Sequence, residues 1–192
     1  MALNAYARST TDRVVLPVAR ALVRIGVTAN WLTFSGLVGT LAGVAVMLLG
    51  APLLGAVIAG VAALVDALDG TVARLRGTSS PFGAFYDSVT DRISDAAVFG
   101  AAAWLVRDDP VDFAVAVIAL AGAQVTSYIR AKAESLGWQA TVGVIERPER
   151  LLIVLLAIGL GFLRPALWVL AVGALVTIAQ RIRAVLHQAG RT

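Results

Sequence analysis

Five aspartates set in two apolar stretches are the residues whose type and spacing invite chemistry: Asp66 and Asp69 in one, then Asp87, Asp91 and Asp95 in the next. An Asp at the centre of a lipid-embedded helix costs about 2.5–3.5 kcal/mol. Four or five left in hydrocarbon would cost on the order of 10 kcal/mol. They must therefore face protein, water or a cation. Helix positions three and four apart lie about 60° and about 40° apart around the axis. Asp66 with Asp69, and Asp87 with Asp91, thus each form a patch on one face. A hairpin joined near residues 75–82 brings the two patches to the same end.

Carboxylates converging in a low-dielectric site repel one another unless they are protonated or neutralised by divalent cations. Oxygen donors without His or Cys select hard ions such as Mg²⁺, Mn²⁺ or Ca²⁺. Four carboxylates can hold two ions, and two-metal sites suit in-line displacement at phosphorus. The purely structural alternative is a set of aspartates paired with Arg74, Arg92 and their neighbours.

The elements that position these residues are membrane helices. The chain has 192 residues, 59% of them hydrophobic and 15% charged, with a mean hydropathy of +0.84. A soluble domain is about 25% charged. This composition excludes a disordered chain, a nucleic-acid-binding tail and an ordinary cytosolic enzyme. No nucleic-acid partner is expected. The absence of cysteine excludes disulfides, zinc–thiolate sites and thiol catalysis.

The expected fold is an all-α membrane protein of six transmembrane helices, preceded by an N-terminal interfacial amphipathic helix. Residues 8–26 carry Arg13, Arg20 and Arg24 on a narrow stripe, with Val14, Val18, Leu22 and Ile25 opposite. The spans read as Trp31–Gly50, Pro52–Arg74, Gly83–Val106, Val111–Lys132, Arg150–Leu163 and Pro165–Val185. This divides the chain into an interfacial segment, 1–27, and a transmembrane domain, 28–192. Gly36, Gly39 and Gly43 give the first span a face for close helix contact. Fourteen of the 16 Lys and Arg residues fall on one side of this layout, with only Arg107 and Arg164 on the other. The positive-inside rule then puts both termini and the carboxylates at the cytoplasmic side of a cell membrane, in a multi-pass protein. No cleavable signal peptide is evident, because Arg8, Arg13, Arg20 and Arg24 are spread through the N-terminus.

The aspartates lie in a longer pattern. Asp66-Ala-Leu-Asp69-Gly70-Thr-Val-Ala73-Arg74, eight further residues, and Gly83-Ala-Phe-Tyr-Asp87-Ser-Val-Thr-Asp91 match D-x2-D-G-x2-A-R-x8-G-x3-D-x3-D at every fixed position. Gly70, Ala73 and Gly83 keep their helix faces thin enough for a nucleotide to approach, and the Arg74 guanidinium can grip a diphosphate. The pattern resembles the signature of the CDP-alcohol phosphotransferases, which move a phosphoalcohol group from a CDP-linked donor to an alcohol and release CMP. The resemblance implies that Asp66, Asp69, Asp87 and Asp91 bind metal, as two Mg²⁺ or Mn²⁺ ions, and that Asp91 is also the general base on the acceptor hydroxyl. It also implies a homodimer. Thr28-Ala29-Asn30-Trp31-Leu32-Thr33 is similar to the T-P-N-x-x-T run of the family, with Ala29 where proline is usual. By that resemblance CDP-diacylglycerol meets Ala29, Asn30, Trp31, Leu32, Asp69, Gly70, Ala73, Arg74, Ser80 and Gly83. Asp95 lies outside the signature and continues the same stripe in a supporting role.

The acceptor is read from basic residues elsewhere. Ser127, Arg130, Lys132, Arg147, Arg150, Arg181 and Arg183 gather at the ends of the fourth to sixth spans, which suits an acceptor already carrying a phosphate. The runs 127–134 and 145–150 look like those of the actinobacterial phosphatidylinositol-phosphate synthases, a branch of the family using CDP-diacylglycerol and 1D-myo-inositol 3-phosphate. The resemblance puts the inositol phosphate on Ser127, Arg130, Arg150 and Arg181, with Arg130 where that branch has lysine. Two rival readings are a phosphatidylglycerophosphate synthase, with glycerol 3-phosphate as acceptor, and a carboxylate-lined cation carrier.

Overall fold

Every regular element in the described residues, 15–190, of this computed structural model is helical. Helix α1 covers 15–24. It is followed by α2 (Ala29–Leu48), α3 (Pro52–Asp66), α4 (Asp69–Arg76), α5 (Pro81–Leu105), α6 (Pro110–Ser135), α7 (Arg147–Leu160) and α8 (Leu163–Ala189). Local chemistry sets the boundaries. The Thr28 hydroxyl accepts from Trp31 N at 3.3 Å to start α2, and Ser80 does the same for Gly83 N at 3.0 Å at the head of α5. Asp109 opens α6 by accepting from Val111 N and Asp112 N, which holds its carboxyl below the usual carboxylate range. Glu146 and Glu149 form a capping box at the start of α7. Gly77 and Gly161, at φ of 64° and 79°, end α4 and α7 in the left-handed conformation that glycine adopts without strain.

Long apolar side chains point outward along the helices, among them Leu49, Leu64, Leu53, Trp168 and Val169. Among the described residues, four helices are long and apolar enough to cross a membrane: α2, the α3–α4 pair taken together, α6 and α8. Helix α5 has the length of a span but carries Asp87, Asp91, Arg92 and Asp95, and α7 has only 14 residues. Alanine is the commonest residue in the interior, around Met47, Phe99, Val154 and Leu167.

The second expected span, Pro52–Arg74, is not one regular helix. It breaks at Ala67–Leu68, between two of the candidate metal ligands. Just after the break the Asp69 carboxylate accepts from its own neighbour, Gly70 N, and from Thr33 on α2. An aspartate that bonds nearby backbone competes with the helix for it.

The segment before α2 also differs from the expected pattern. Ala19, Leu22 and Val23 of α1 pack against Leu32 and Val72, while Val18 and Ile25 of the expected apolar face stay exposed. The docking stripe runs through Ala19, Leu22 and Val23 and so includes only one residue of the expected apolar face, Leu22. The Arg76 guanidinium then ties the following turn to α4, donating to Gly26 O at 2.9 Å and Val27 O at 2.8 Å. Residues 8–14 of the expected amphipathic helix, and Arg191, lie outside the described residues.

The glycine face of α2 does what its spacing implies. A Cβ on Gly39 would stand 2.8 Å from Ala62 Cβ, and one on Gly43 would stand 2.6 Å from Gly55 O and 2.7 Å from Ala59 N. Helices α2 and α3 therefore run backbone against backbone. Gly43→Ala is expected to force them apart and cost about 1–3 kcal/mol. Thermal unfolding in detergent checks this, and an unchanged Tm would mean that the contact is looser than described.

Candidate active site

Asp66 ends α3, Asp69 begins α4 and Asp87 lies in the second turn of α5. One carboxylate oxygen from each lies within 4.8 Å of the others, close enough to share an ion. The donor set is all oxygen and suits a hard divalent cation. Two α2 residues fix its shape. The buried Thr33 hydroxyl donates to Asp69 Oδ2 at 2.6 Å, and a Cβ on Gly36 would stand 2.7 Å from Asp66 Cβ. No Lys or Arg nitrogen of the described residues lies within 4.0 Å of Asp69 or Asp87. Arg74, one partner in the structural alternative, turns instead to Thr71 Oγ1 at 3.0 Å.

Asp91 and Asp95 have a different environment. Arg147 reaches Asp91 Oδ1 at 2.7 Å, Asp95 Oδ1 at 3.5 Å and Asp66 Oδ2 at 4.0 Å. Arg92 stands 3.5 Å from Asp91. Arg150, only 5% exposed, bonds Asp95 Oδ2 at 2.5 Å, Ser127 Oγ at 3.0 Å and Thr126 Oγ1 at 3.2 Å. Asp91, expected among the metal ligands, thus stands apart from the three-carboxylate group in an arginine pair. The physical reason is Arg147, which sequence reading left out of the acceptor pocket. The signal was present: Arg147 and Arg150 share a face of α7, and a cation in the first turn of a helix opposes the helix dipole. Such a residue needs a strong local partner.

Two cavities flank Asp87. The first, about 240 Å³, lies among α2, α4 and the start of α5, and the second, about 410 Å³, lies among α5, α6, α7 and α8. Of the expected donor contacts, Ala29, Asn30, Asp69, Gly70, Ala73, Arg74, Ser80 and Gly83 line the first. Trp31 and Leu32 do not. Trp31 is 65% exposed and meets Phe34 edge-on, while Leu32 is buried against Ala19 and Val72. Ala29, Asn30 and Thr33 lie on the cavity side of the first turn, so the two residues between them point elsewhere. All four expected acceptor residues, Ser127, Arg130, Arg150 and Arg181, line the second cavity. Arg130 pairs with Glu134 at 2.9 Å, and Arg181 bonds Thr126 O at 2.6 Å and Val142 O at 2.9 Å. Asp91 and Arg147 line this cavity too, and Asp87 lines both.

An all-helical fold with paired aspartates facing a two-part polar cavity defines a class. Residues 26–180 match the CDP-alcohol phosphatidyltransferase family, and the chain belongs to it. It is an enzyme family, which removes the cation-carrier reading. A phosphatidylinositol phosphate synthase of Corynebacterium glutamicum is 38% identical, over 94% of this chain and 87% of that one. The crystal structure of the Mycobacterium tuberculosis phosphatidylinositol phosphate synthase with CDP-DAG bound is similar at a TM-score of 0.83. It is 38% identical and the match covers 90% of this chain and 94% of that one. The same mycobacterial enzyme in complex with manganese and citrate also gives 0.83, at 37% identity, over 90% of this chain and 89% of that one.

Thr33→Val keeps the volume but removes the hydroxyl that orients Asp69. It is expected to weaken Mn²⁺ binding by about 10–100-fold, the usual effect of losing a ligand's hydrogen-bond partner. Electron paramagnetic resonance of free Mn²⁺ measures this, and wild-type affinity would remove Thr33 from the site.

Proposed function

We propose that this chain is a membrane phosphatidyltransferase that makes phosphatidylinositol phosphate from CDP-diacylglycerol and 1D-myo-inositol 3-phosphate, releasing CMP. The observation that carries the reading is the pair of cavities meeting at Asp87. One is lined by the family signature, and the other by arginines.

Each residue has a task in this reaction. Gly70, Ala73 and Gly83 leave room for the nucleotide, and Arg74 binds its diphosphate. Ser127, Arg130, Arg150 and Arg181 hold the phosphate of the acceptor. Asp91 faces the acceptor cavity and takes the proton of the attacking hydroxyl, whose oxygen forms the new bond to phosphorus as the bond to CMP breaks. Arg147 holds Asp91 in place. Asp66, Asp69 and Asp87 would hold a divalent ion that screens the diphosphate and the charge on departing CMP. Two Mg²⁺ or Mn²⁺ ions, with Asp91 as a further ligand, are the fuller arrangement that the family resemblance implies, as is a homodimer. The six-span layout in a cell membrane, with both termini and the site on the cytoplasmic side, is supported by the basic residues and by the pairing of Arg164 with Asp112 at the opposite end, at 3.1 Å.

Purified protein assayed with both candidate acceptors tests the reading. CMP release with inositol 3-phosphate is expected, whereas turnover with glycerol 3-phosphate alone would make the chain a phosphatidylglycerophosphate synthase. Asp91→Asn should lower kcat by about 10²–10⁴-fold with CDP-diacylglycerol binding retained; a loss below about tenfold would exclude Asp91 as the base. Arg150→Ala should raise the acceptor KM and leave the donor KM in place. An unchanged acceptor KM would contradict the pocket.

A further inference from the structure

Asp95 is fully buried, lines neither cavity and lies outside the family signature. It stands one turn beyond Asp91 on α5, between two guanidiniums. Its Oδ2 meets Arg150 at 2.5 Å and its Oδ1 faces Arg147 at 3.5 Å. Each arginine reaches on toward the acceptor cavity. Arg147 continues to Asp91 at 2.7 Å, and Arg150 to Ser127 Oγ at 3.0 Å. Two like charges three residues apart on one helix repel, and a bound phosphate would draw both toward the ligand. A carboxylate behind them holds the pair at one distance before the ligand arrives. Stability alone does not explain such an arrangement, because a buried ion pair is often no more stabilising than apolar packing of the same volume.

We propose that Asp95 is a positioning residue for the phosphorylated acceptor, setting Arg150 and Arg147 so that the acceptor's phosphate and its attacking hydroxyl are presented together to Asp91. The proposal rests on the reading of the arginine-lined cavity as the acceptor site. Preorganised cations gain affinity because no side chain has to be ordered on binding. Asp95 acts through the arginines and touches neither substrate.

The test uses the full-length protein in detergent. Calorimetry gives the Kd of inositol 3-phosphate and glycerol 3-phosphate, steady-state assays give both KM values, and thermal unfolding reports the fold. Asp95→Asn keeps the shape and removes the charge. It should raise the acceptor Kd and KM by about tenfold or more, as expected for weakening a charge-assisted hydrogen bond. The donor KM should move by less than about twofold. In an Arg150→Met background Asp95→Asn should cost little further affinity, because residues acting through one another are not additive. If Asp95→Asn does not give a folded protein, Asp95→Ser takes its place, with room for a water beside the hydroxyl. An unchanged acceptor Kd, equal shifts for donor and acceptor, or full additivity with Arg150→Met would overturn the proposal. Wild-type protein that binds neither phosphate would overturn the acceptor-site reading and the proposal with it. Wild-type protein that binds glycerol 3-phosphate alone would change the acceptor, and Asp95 would then be judged with that ligand by the same criteria.

Discussion

The structure turns on the concentration of negative charge where α3, α4 and α5 converge. Five carboxylates lie within a few helical turns in a protein whose outer surface is apolar, and their like charges repel one another. The chain divides them. Asp91 and Asp95 are answered by Arg92, Arg147 and Arg150 from within. Asp69 and Asp87 have no arginine or lysine within ion-pair distance among the described residues, and Asp66 has only Arg147 at 4.0 Å. The second group is left with little internal countercharge. This division separates three carboxylates close enough to share an ion from an arginine-lined side, and Asp87 lies on the border between the two cavities.

Geometry follows from that division. Gly36, Gly39 and Gly43 let α2 lie directly against α3, with Gly36 packed on Asp66 itself. The break at Ala67–Leu68 falls between Asp66 and Asp69, so that the two aspartates serve one site from the end of α3 and the start of α4. Thr33 links the two features, since it lies on the glycine-bearing helix and holds the aspartate after the break. The capping box at α7 carries Arg147 and Arg150 in from the opposite side.

Much of this was legible in the sequence, because an aspartate in an apolar run is conspicuous and helical spacing says which aspartates share a face. The glycine contact and the α5 and α6 boundaries follow from the same reasoning, whereas Ser127, Arg130, Arg150 and Arg181 rest on the family resemblance. The break between α3 and α4 was not legible, because Ala67 and Leu68 are good helix formers and no Gly or Pro immediately precedes it. Trp31 and Leu32 belong to a contiguous run in the family resemblance, but on a helix only residues three or four apart share a face, and they point away from the cavity. The part played by Arg147 was hidden among 14 basic residues, most of which have the simpler task of marking one side of the membrane. Asp95 could be placed on the stripe, but its partners come from α7, and no local pattern connects the two helices.

The most direct test of the division of charge is Mn²⁺ binding, followed by electron paramagnetic resonance in wild-type protein and in single Asp→Asn variants. The account predicts that Asp69→Asn and Asp87→Asn abolish the tight site while Asp95→Asn, on the arginine-held side, preserves it. Equal loss in all three, or no specific binding in wild-type protein, would contradict it.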